Sequence, residues 1–215
     1  MLNESEGKRL LASYGVAVPD GRLVRSPAEA EDAAAVIGFP VVLKTVGADI
    51  AHKSEIGGVR LGLGDAASVA VAARELQDLG EALLVERMVA DAVAELIVGT
   101  GRDPVIGLYL LVGSGGILAE LIGDSRVLML PATREEIGAA IGALKVGRLL
   151  DGFRGGPRGD LSAAVDAAMI VQSFALEKAD RLLELDINPL LVLAEGDGVV
   201  AADVLIRFTG EDDCG

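Results

Sequence analysis

Short apolar runs alternate along this chain with segments that carry helix-start signals, and this alternation restricts the possible fold more than any other feature. Ser26 followed by Pro27 places an N-cap residue before a proline at the first helical position. Residues 41–46, which follow that helix, are apolar enough for a central strand apart from one lysine. Thr133, with Glu136 three residues later, is a capping box that predicts another helix. The pattern predicts a mixed α/β (α+β) protein.

The predicted elements divide into two lobes, residues 1–89 and residues 90–215, because the apolar pattern lapses near Asp91. In the first lobe we expect a loop at residues 47–58 and strands at residues 16–19, 41–46, 59–63 and 82–88. In the second we expect strands at residues 94–100, 105–112 and 117–122, helices after Thr133 and Asp160, an exposed loop at 152–159, and a hairpin turning at 196–198. Each lobe should therefore hold a β-sheet with flanking helices.

The composition restricts the partners of the chain. Acidic residues number 33 against 19 basic ones, so the net charge is −14, which argues against nucleic acid and anionic membrane. Aromatic residues make up only 3% and tryptophan is absent, which argues against a base-stacking surface. The longest uncharged run, residues 104–119, is shorter than the ~20 residues of a membrane-spanning helix. The lone Cys214 excludes an intrachain disulfide and favours a cytoplasmic location.

Lys44 is the first candidate for a binding residue. A lysine inside an otherwise apolar strand has an unfavourable desolvation free energy unless an anion meets it. The alternative is a lysine at a sheet edge that extends its ammonium group to water. The residues alone leave both interpretations open.

The C-terminal hairpin suggests a magnesium site. Asn188 and Asp203 lie at similar distances from the turn, so they should fall within about one pair of being cross-strand neighbours. Asp186 lies two residues before Asn188 and shares its face of the strand. Oxygen donors of this kind suit Mg²⁺. The alternative is that Asn188-Pro189 marks a bend and Asp203 caps a turn.

A glycine-rich turn at residues 113–116 could bring backbone N–H groups close to a phosphate. The turn has neither the P-loop pattern nor a Gly-x-Gly-x-x-Gly fingerprint, and glycines also occur in turns for conformational reasons alone.

His52 is the only histidine and lies in a polar loop. Its imidazole could accept and pass on a phosphoryl group near neutral pH. From the residues alone, an ordinary surface histidine is the favoured interpretation.

Seven segments in chain order carry a family resemblance: residues 10–16 with 18–19, 38–44, 52–59, 95–99 with 102–104, 113–116 with Glu120, 152–155, and 184–190. Together they resemble the ATP-grasp β subunit, or the equivalent domain, of ADP-forming acetyl-CoA and acyl-CoA synthetases in the succinyl-CoA synthetase-like superfamily. The resemblance covers about residues 6–208 and implies an ATP-grasp fold, in which two lobes hold ATP or ADP between their sheets.

The resemblance also implies roles for particular residues. It assigns phosphate relay to His52 and so makes the catalytic interpretation the favoured one. It implies Mg²⁺ ligation by Asn188 and Asp203, and the position of Asp186 on the same strand face adds a third oxygen ligand or a base. The implied nucleotide-binding residues are Lys44 at the phosphates, Glu86 in the hinge by the adenine, and Met88, Glu95, Gly115 and Gly116.

The implied reaction is acyl-CoA + ADP + phosphate ⇌ carboxylate + CoA + ATP, through an acyl phosphate and a phosphohistidine. The chain lacks room for the CoA-binding and ligase domains, so we expect a separately encoded α-type CoA-binding subunit, which would bring the acyl-CoA or carboxylate substrate, in a hetero-oligomer. The segment from residue 63 to residue 86 is shorter than the matching segment of the family. The assignment of Glu86 to the hinge depends on where in that segment the residues are missing. Two alternatives are a nucleotide-sensing module of an acetyltransferase system and a stand-alone ATP-grasp carboxylate ligase.

Overall fold

A computed structural model of the chain describes residues 1–47, 56–116 and 123–209. The helices are α1 (Glu4–Ser13), α2 (Pro27–Ile37), α3 (Ala66–Leu76), α4 (Arg134–Gly142), α5 (Gly147–Leu150) and α6 (Leu161–Glu177), with a 3-10 turn at Phe153–Gly155. The strands are β1 (Gly21–Val24), β2 (Val41–Val46), β3 (Val59–Leu63), β4 (Ala82–Arg87), β5 (Ala94–Asp103), β6 (Gly107–Ser114), β7 (Ser125–Met129), β8 (Leu182–Val192), β9 (Val199–Ala201) and β10 (Val204–Phe208). The expected mixed α/β architecture, with antiparallel sheets and flanking helices, is confirmed.

Two compact units divide the chain. Unit 1 contains Met1, Asn3–Ser5 and Pro19–Ala90, and unit 2 contains Leu2, Glu6–Val18 and Asp91–Gly215. The lobes proposed from the sequence, 1–89 and 90–215, differ from this division mainly at residues 6–18. Leu11 and Val16 are buried in the hydrophobic core of unit 2, which is why this stretch groups there.

Unit 1 contains an antiparallel sheet with the strand order β1-β4-β2-β3. Its core forms where α2 and α3 cover one face of the sheet, against Val41, Leu43 and Val85. Because side chains alternate along a strand, Lys44 and Glu86 point to the opposite face. The apolar side chains of the alternating pattern therefore pack against the helices, and two charged side chains lie on the opposite face of the sheet.

Unit 2 contains an antiparallel sheet with the strand order β10-β8-β5-β6-β7, with β9 paired to β8. Helices α4 and α6 pack on one face of this sheet. Phe174 of α6 is fully buried and meets Tyr14 edge to face, with 5.0 Å between the ring centroids. The other face carries the side chains of Glu95 and Asp186, with Gly99 paired to Asp186, so the helices again leave one face of the sheet uncovered.

Capping residues start the helices where the sequence predicts. Ser26 accepts from the Glu29 N–H, and Thr133 forms a full capping box with Glu136. Asp160 caps α6 through the Ala163 N–H, and its second carboxylate oxygen accepts from Gly196 and Gly198 in the hairpin turn. The helix start and the hairpin are thus tied together by one carboxylate.

One strand prediction is wrong and one strand was not predicted. Residues 16–19 are not a strand, because Val16 donates to the Leu11 carbonyl oxygen and closes the end of α1. The strand that does form there is β1, which starts at Gly21. The strand predicted at 117–122 lies outside the described residues, and β7 begins at Ser125. Among the described residues, no helix combines the length and apolar composition that crossing a membrane requires.

Candidate functional site

Lys44 lies between two carboxylates in unit 1. Its Nζ is 2.7 Å from Oε1 of Glu4, in the first turn of α1, and 3.1 Å from Oε2 of Glu86 on β4. The register pairs Val42 with Glu86, so Lys44, two residues further along β2, is diagonal to Glu86 on the same sheet face. The Lys44 side chain is 8% exposed and the two carboxylates 1% and 3%. Lys44 is therefore a buried, paired cation and does not reach water at a sheet edge.

Gly21 makes the room that Glu86 occupies. It pairs with Glu86 across β1 and β4, and a Cβ added to Gly21 would lie 3.0 Å from the Glu86 Cγ. A buried charge of either sign has a large desolvation penalty, which close opposite charges and hydrogen bonds offset. Gly21 thus leaves space for the Glu86 side chain directly beside Lys44.

Met88 follows β4 directly. Its backbone N–H donates to the Pro40 carbonyl oxygen at 3.1 Å. This bond fixes the chain at the end of the segment 85–88 that the resemblance assigns to the adenine.

Glu95, Gly115 and Gly116 come together in unit 2. The Gly115 N–H donates to the Glu95 carbonyl oxygen at 2.7 Å. A Cβ on Gly115 would lie 2.8 Å from the Glu95 carbonyl carbon, and a Cβ on Gly116 would lie 2.9 Å from Oε2 of Glu95. Gly116 also has a φ of 85°, which glycine adopts without strain. Gly115 is needed for the turn to pass this close to the backbone of β5, and Gly116 for its positive φ.

The turn is held by its neighbours Ser114 and Asp124. The Ser114 hydroxyl donates to the Asp124 carboxylate at 2.6 Å, and the Ser114 N–H donates to the Asp124 carbonyl oxygen at 2.9 Å. The Lys145 N–H donates to the same carboxylate at 2.6 Å. The hydrogen bond from Ser114 lowers the pKa of Asp124, so this carboxylate is an anion near neutral pH. The end of β6 at Ser114 is thus fixed to Asp124, directly before β7.

Asp186, Asn188 and Asp203 come together at the β8–β10 pair of unit 2. The Asn188 N–H donates to the Asp203 carbonyl oxygen at 3.2 Å, one step beyond the last ladder pair, Ile187 with Val204. Asp186 lies two residues before Asn188 on β8. The neighbour relationship predicted from hairpin counting is therefore present.

Gly99 on β5 has no side chain, and this leaves space for the Asp186 side chain on the same face of the sheet. The two residues are cross-strand partners, and a Cβ on Gly99 would be 2.9 Å from Oδ1 of Asp186. Any larger residue would push this carboxylate away from its place.

Burial and negative neighbours change the acidity of Asp186. Burial raises its pKa from 3.8 to about 6, and the charges of Glu184 and Asp203 add to the rise. Among residues 1–47, 56–116 and 123–209, no group of three or more His, Cys, Asp or Glu side chains is arranged to hold a metal ion. Two carboxylates and one amide nevertheless fit Mg²⁺, which commonly binds through one or two carboxylates and keeps several waters. A divalent cation would offset the repulsion between Asp186 and Asp203.

Asp186→Asn is expected to stabilise the protein at neutral pH in the absence of divalent cations. The folded state retains the Asp186 proton to a higher pH than the unfolded state, so its free energy of unfolding falls as the pH rises from about 4 to about 6. Removing the charge should recover on the order of 2–3 kcal/mol at pH 7 and nothing near pH 4. Urea denaturation with EDTA at both pH values measures this, with Asp197→Asn in the exposed hairpin turn as the control. An equal change at both pH values would contradict it.

The structure thus gathers nine of the ten predicted site residues into local sets within single units. These are Lys44 with Glu86 and, along the same strand end, Met88; Glu95 with Gly115 and Gly116; and Asp186 with Asn188 and Asp203. The tenth, His52, lies outside the described residues. Sequence reasoning missed Glu4, Ser114 and Asp124. The contacts of Glu4 with Lys44 and of Ser114 with Asp124 join residues 40 and 10 positions apart, so no local pattern marks them.

The chain is similar to several known proteins along most of its length. A family model described as an ATP-grasp domain matches residues 1–208. An ADP-forming acetate–CoA ligase I of Archaeoglobus fulgidus is 36% identical over 204 residues, 91% of this chain but 30% of that protein's length. The β subunit of an ADP-forming acetate–CoA ligase I of Pyrococcus furiosus is 32% identical over 211 residues, 94% of this chain and 89% of that subunit.

Solved structures show the same fold. A dinucleotide-forming acetyl-coenzyme A synthetase 1 of Ca. Korarchaeum cryptofilum, in complex with coenzyme A, Ca-AMPCP and HgCl⁺, is 32% identical with a TM-score of 0.89, covering 97% of this chain and 93% of that one. The same synthetase with coenzyme A and Mg-AMPPCP, its phosphohistidine segment pointing towards the nucleotide binding site, has a TM-score of 0.81 at 32% identity, covering 96% and 92% of the two chains.

Proposed function

Because this chain belongs to the ATP-grasp domain family, we propose that it is the nucleotide-handling subunit, or equivalent domain, of an ADP-forming acyl-CoA ligase of the acetate–CoA ligase type. In this role it transfers phosphate between a phosphohistidine and ADP or ATP. The observation that carries the proposal is the nearly end-to-end match to a β subunit, which covers 94% of this chain and 89% of that subunit.

The geometry of the site supports a phosphate-handling role. A buried ammonium at Lys44 is suited to a nucleotide phosphate, because a low-dielectric environment strengthens its interaction with an anion. Gly115 and Gly116 form a turn without side chains, and the backbone N–H groups of glycine-rich turns can donate to phosphate oxygens, although the Gly115 N–H itself donates to Glu95. Met88 and Glu86 lie at the strand end proposed to meet the adenine.

Asn188, Asp203 and Asp186 would hold Mg²⁺, whose chemistry is to neutralise phosphate charge as the phosphoryl group moves. The chain's own oxygen donors are already neighbours on β8 and before β10, so they are pre-organised. His52, from its loop sequence, would accept the phosphoryl group from the partner's phosphohistidine and pass it to ADP.

The proposal includes a second component that supplies the CoA site. The chain spans 30% of the Archaeoglobus ligase, and the Pyrococcus relative is named a β subunit, so both fused and separate arrangements occur among the relatives. We propose an α-type CoA-binding partner that brings the acyl-CoA or carboxylate. A cytoplasmic location is compatible with the single cysteine of the chain.

Asp203→Asn is expected to weaken Mg-ADP binding about tenfold or more, because a neutral amide replaces a carboxylate at the proposed metal. Calorimetric titration of the purified chain with Mg-ADP measures this. Asp197→Asn, two residues before β9 begins and exposed in the same hairpin, changes the charge equally and should bind as the unaltered chain does. Equal affinities for all three proteins would count against the metal assignment, and no binding by the unaltered chain would count against the whole proposal.

The complete reaction requires the partner. Co-purification should recover an α-type chain, and the pair should form ATP from an acyl-CoA, ADP and phosphate. Turnover by this chain alone with Mg-ATP and a carboxylate would instead favour a stand-alone ligase.

A further inference from the structure

We propose that Glu4 competes with the nucleotide phosphate for Lys44 and thereby limits how tightly the site holds its nucleotide. The inference rests on the proposed function of Lys44 as a phosphate-binding residue. Glu4 would then be a positioning residue that acts through Lys44, outside the set of nucleotide-contacting residues derived from the sequence.

Glu4 is the nearer of the two carboxylates at Lys44. Its Oε1 lies 2.7 Å from Nζ and accepts a hydrogen bond, whereas Glu86 Oε2 lies at 3.1 Å. The Glu4 side chain is 1% exposed, so water screens its charge little. The ammonium group that would meet a phosphate is therefore already engaged by a carboxylate.

An arriving phosphate would face Glu4 as a like charge. A phosphate oxygen in contact with Nζ would lie roughly 4–6 Å from the Glu4 carboxylate, a range at which partly buried charges interact strongly. Binding therefore requires that the Glu4–Lys44 bond loosen or that the repulsion be tolerated. Either alternative makes the nucleotide bind less tightly than it would beside a neutral side chain.

The position of Glu4 in the chain makes such an exchange reversible. Glu4 is the first residue of α1, a helix of 10 residues, and a carboxylate is stabilised near the N-terminal N–H groups of a helix. The Glu4 carboxylate therefore remains stabilised by the N-terminus of α1 when Lys44 contacts a phosphate. On departure of the nucleotide, Glu4 recovers Lys44, so release is assisted.

Glu86 differs from Glu4 in how it is supported. It lies within β4, paired on both sides, and fits the space left by the absent Cβ of Gly21. A strand residue enclosed in this way holds its place, while Glu4 comes from a helix end. The two carboxylates therefore share Lys44 with different roles, one fixed and one exchangeable.

Glu4→Gln tests the inference. Glutamine keeps the shape and an oxygen acceptor for Lys44 but removes the charge. We expect the dissociation constant for Mg-ADP, measured by calorimetry, to fall about tenfold. Stopped-flow displacement of a fluorescent ADP analogue should show that slower dissociation accounts for most of the change. Asp32→Asn, an exposed change of the same charge in unit 1, should leave both quantities unaltered.

The effect must also depend on Lys44. In a Lys44→Met background, Glu4→Gln should leave Mg-ADP affinity unchanged, because the shared cation is gone. If that background does not fold, the comparison of Glu4→Gln with Asp32→Asn and the dissociation rates decide the matter. Unchanged or weaker ADP binding by a folded Glu4→Gln protein would overturn the inference and leave the proposed function standing. Absence of Mg-ADP binding by the unaltered chain would instead overturn the proposed function.

Discussion

Lys44→Met is expected to lower the free energy of unfolding by about 3–5 kcal/mol, since it leaves two buried carboxylates without the cation between them. Methionine fills a similar volume, so the loss comes from charge and not from an empty space. The Glu4 and Glu86 side chains are 1% and 3% exposed, so neither reaches water without local rearrangement. The same variant should bind Mg-ADP at least about a hundredfold more weakly if Lys44 meets a phosphate.

Urea denaturation at pH 7 gives the stability, and calorimetry on the folded fraction gives the affinity. Lys178→Met is the control, because Lys178 pairs with Glu177 at the surface, where an ion pair contributes at most about 1 kcal/mol. Similar losses in the two variants would contradict the view that Lys44 is a buried, shared cation. A stable Lys44→Met protein with unaltered ADP affinity would remove Lys44 from the site altogether.

His52→Asn is expected to reduce ATP formation by at least roughly a thousandfold in the complex with the α-type partner, because asparagine has no nitrogen that can carry the phosphoryl group. The affinity for Mg-ADP should stay within about twofold, since the relay histidine acts on the transferred group and not on nucleotide binding. This split between turnover and affinity separates a relay role from a general loss of structure.

The measurement follows ATP formed from acyl-CoA, ADP and phosphate. Acid-labile phosphate on this chain, detected by mass spectrometry, should be lost in His52→Asn, while phosphate on the partner's histidine should accumulate. Asp197→Asn in the same complex should retain full activity. Undiminished ATP formation by His52→Asn would remove the relay role and favour the nucleotide-sensing alternative.

The helices and most strands could be predicted because their signals are local. An N-cap side chain meets an N–H only two or three residues away, so Ser26, Asp160 and Thr133 mark helix starts without knowledge of the fold. Strand β1 escaped prediction because four residues beginning with glycine and arginine show no apolar alternation. Its place in the sheet depends on pairing with β4, which lies about sixty residues further along the chain.

Within the site, the Asn188–Asp203 pair was predictable and the partners of Lys44 were only partly so. In a hairpin, the distance of two residues from the turn determines whether they pair, so counting residues was enough to predict the Asn188–Asp203 pair. Glu86 was expected at the hinge but not beside Lys44. Glu4 gave no signal at all, because an acidic residue in the first turn of a helix is commonplace and its contact spans 40 positions.

The hydrogen bonds between Ser114 and Asp124 determine which changes in chain length unit 2 can tolerate. Ser114 and Asp124 are joined through a side chain and through the backbone, so the end of β6 is held to the chain just before β7 by these two residues themselves. Lengthening a connection raises its closure free energy only slowly, by about 0.6 kcal/mol per doubling. An insertion between Ser114 and Asp124 that retains Gly115 and Gly116 should therefore leave the sheet of unit 2 folded.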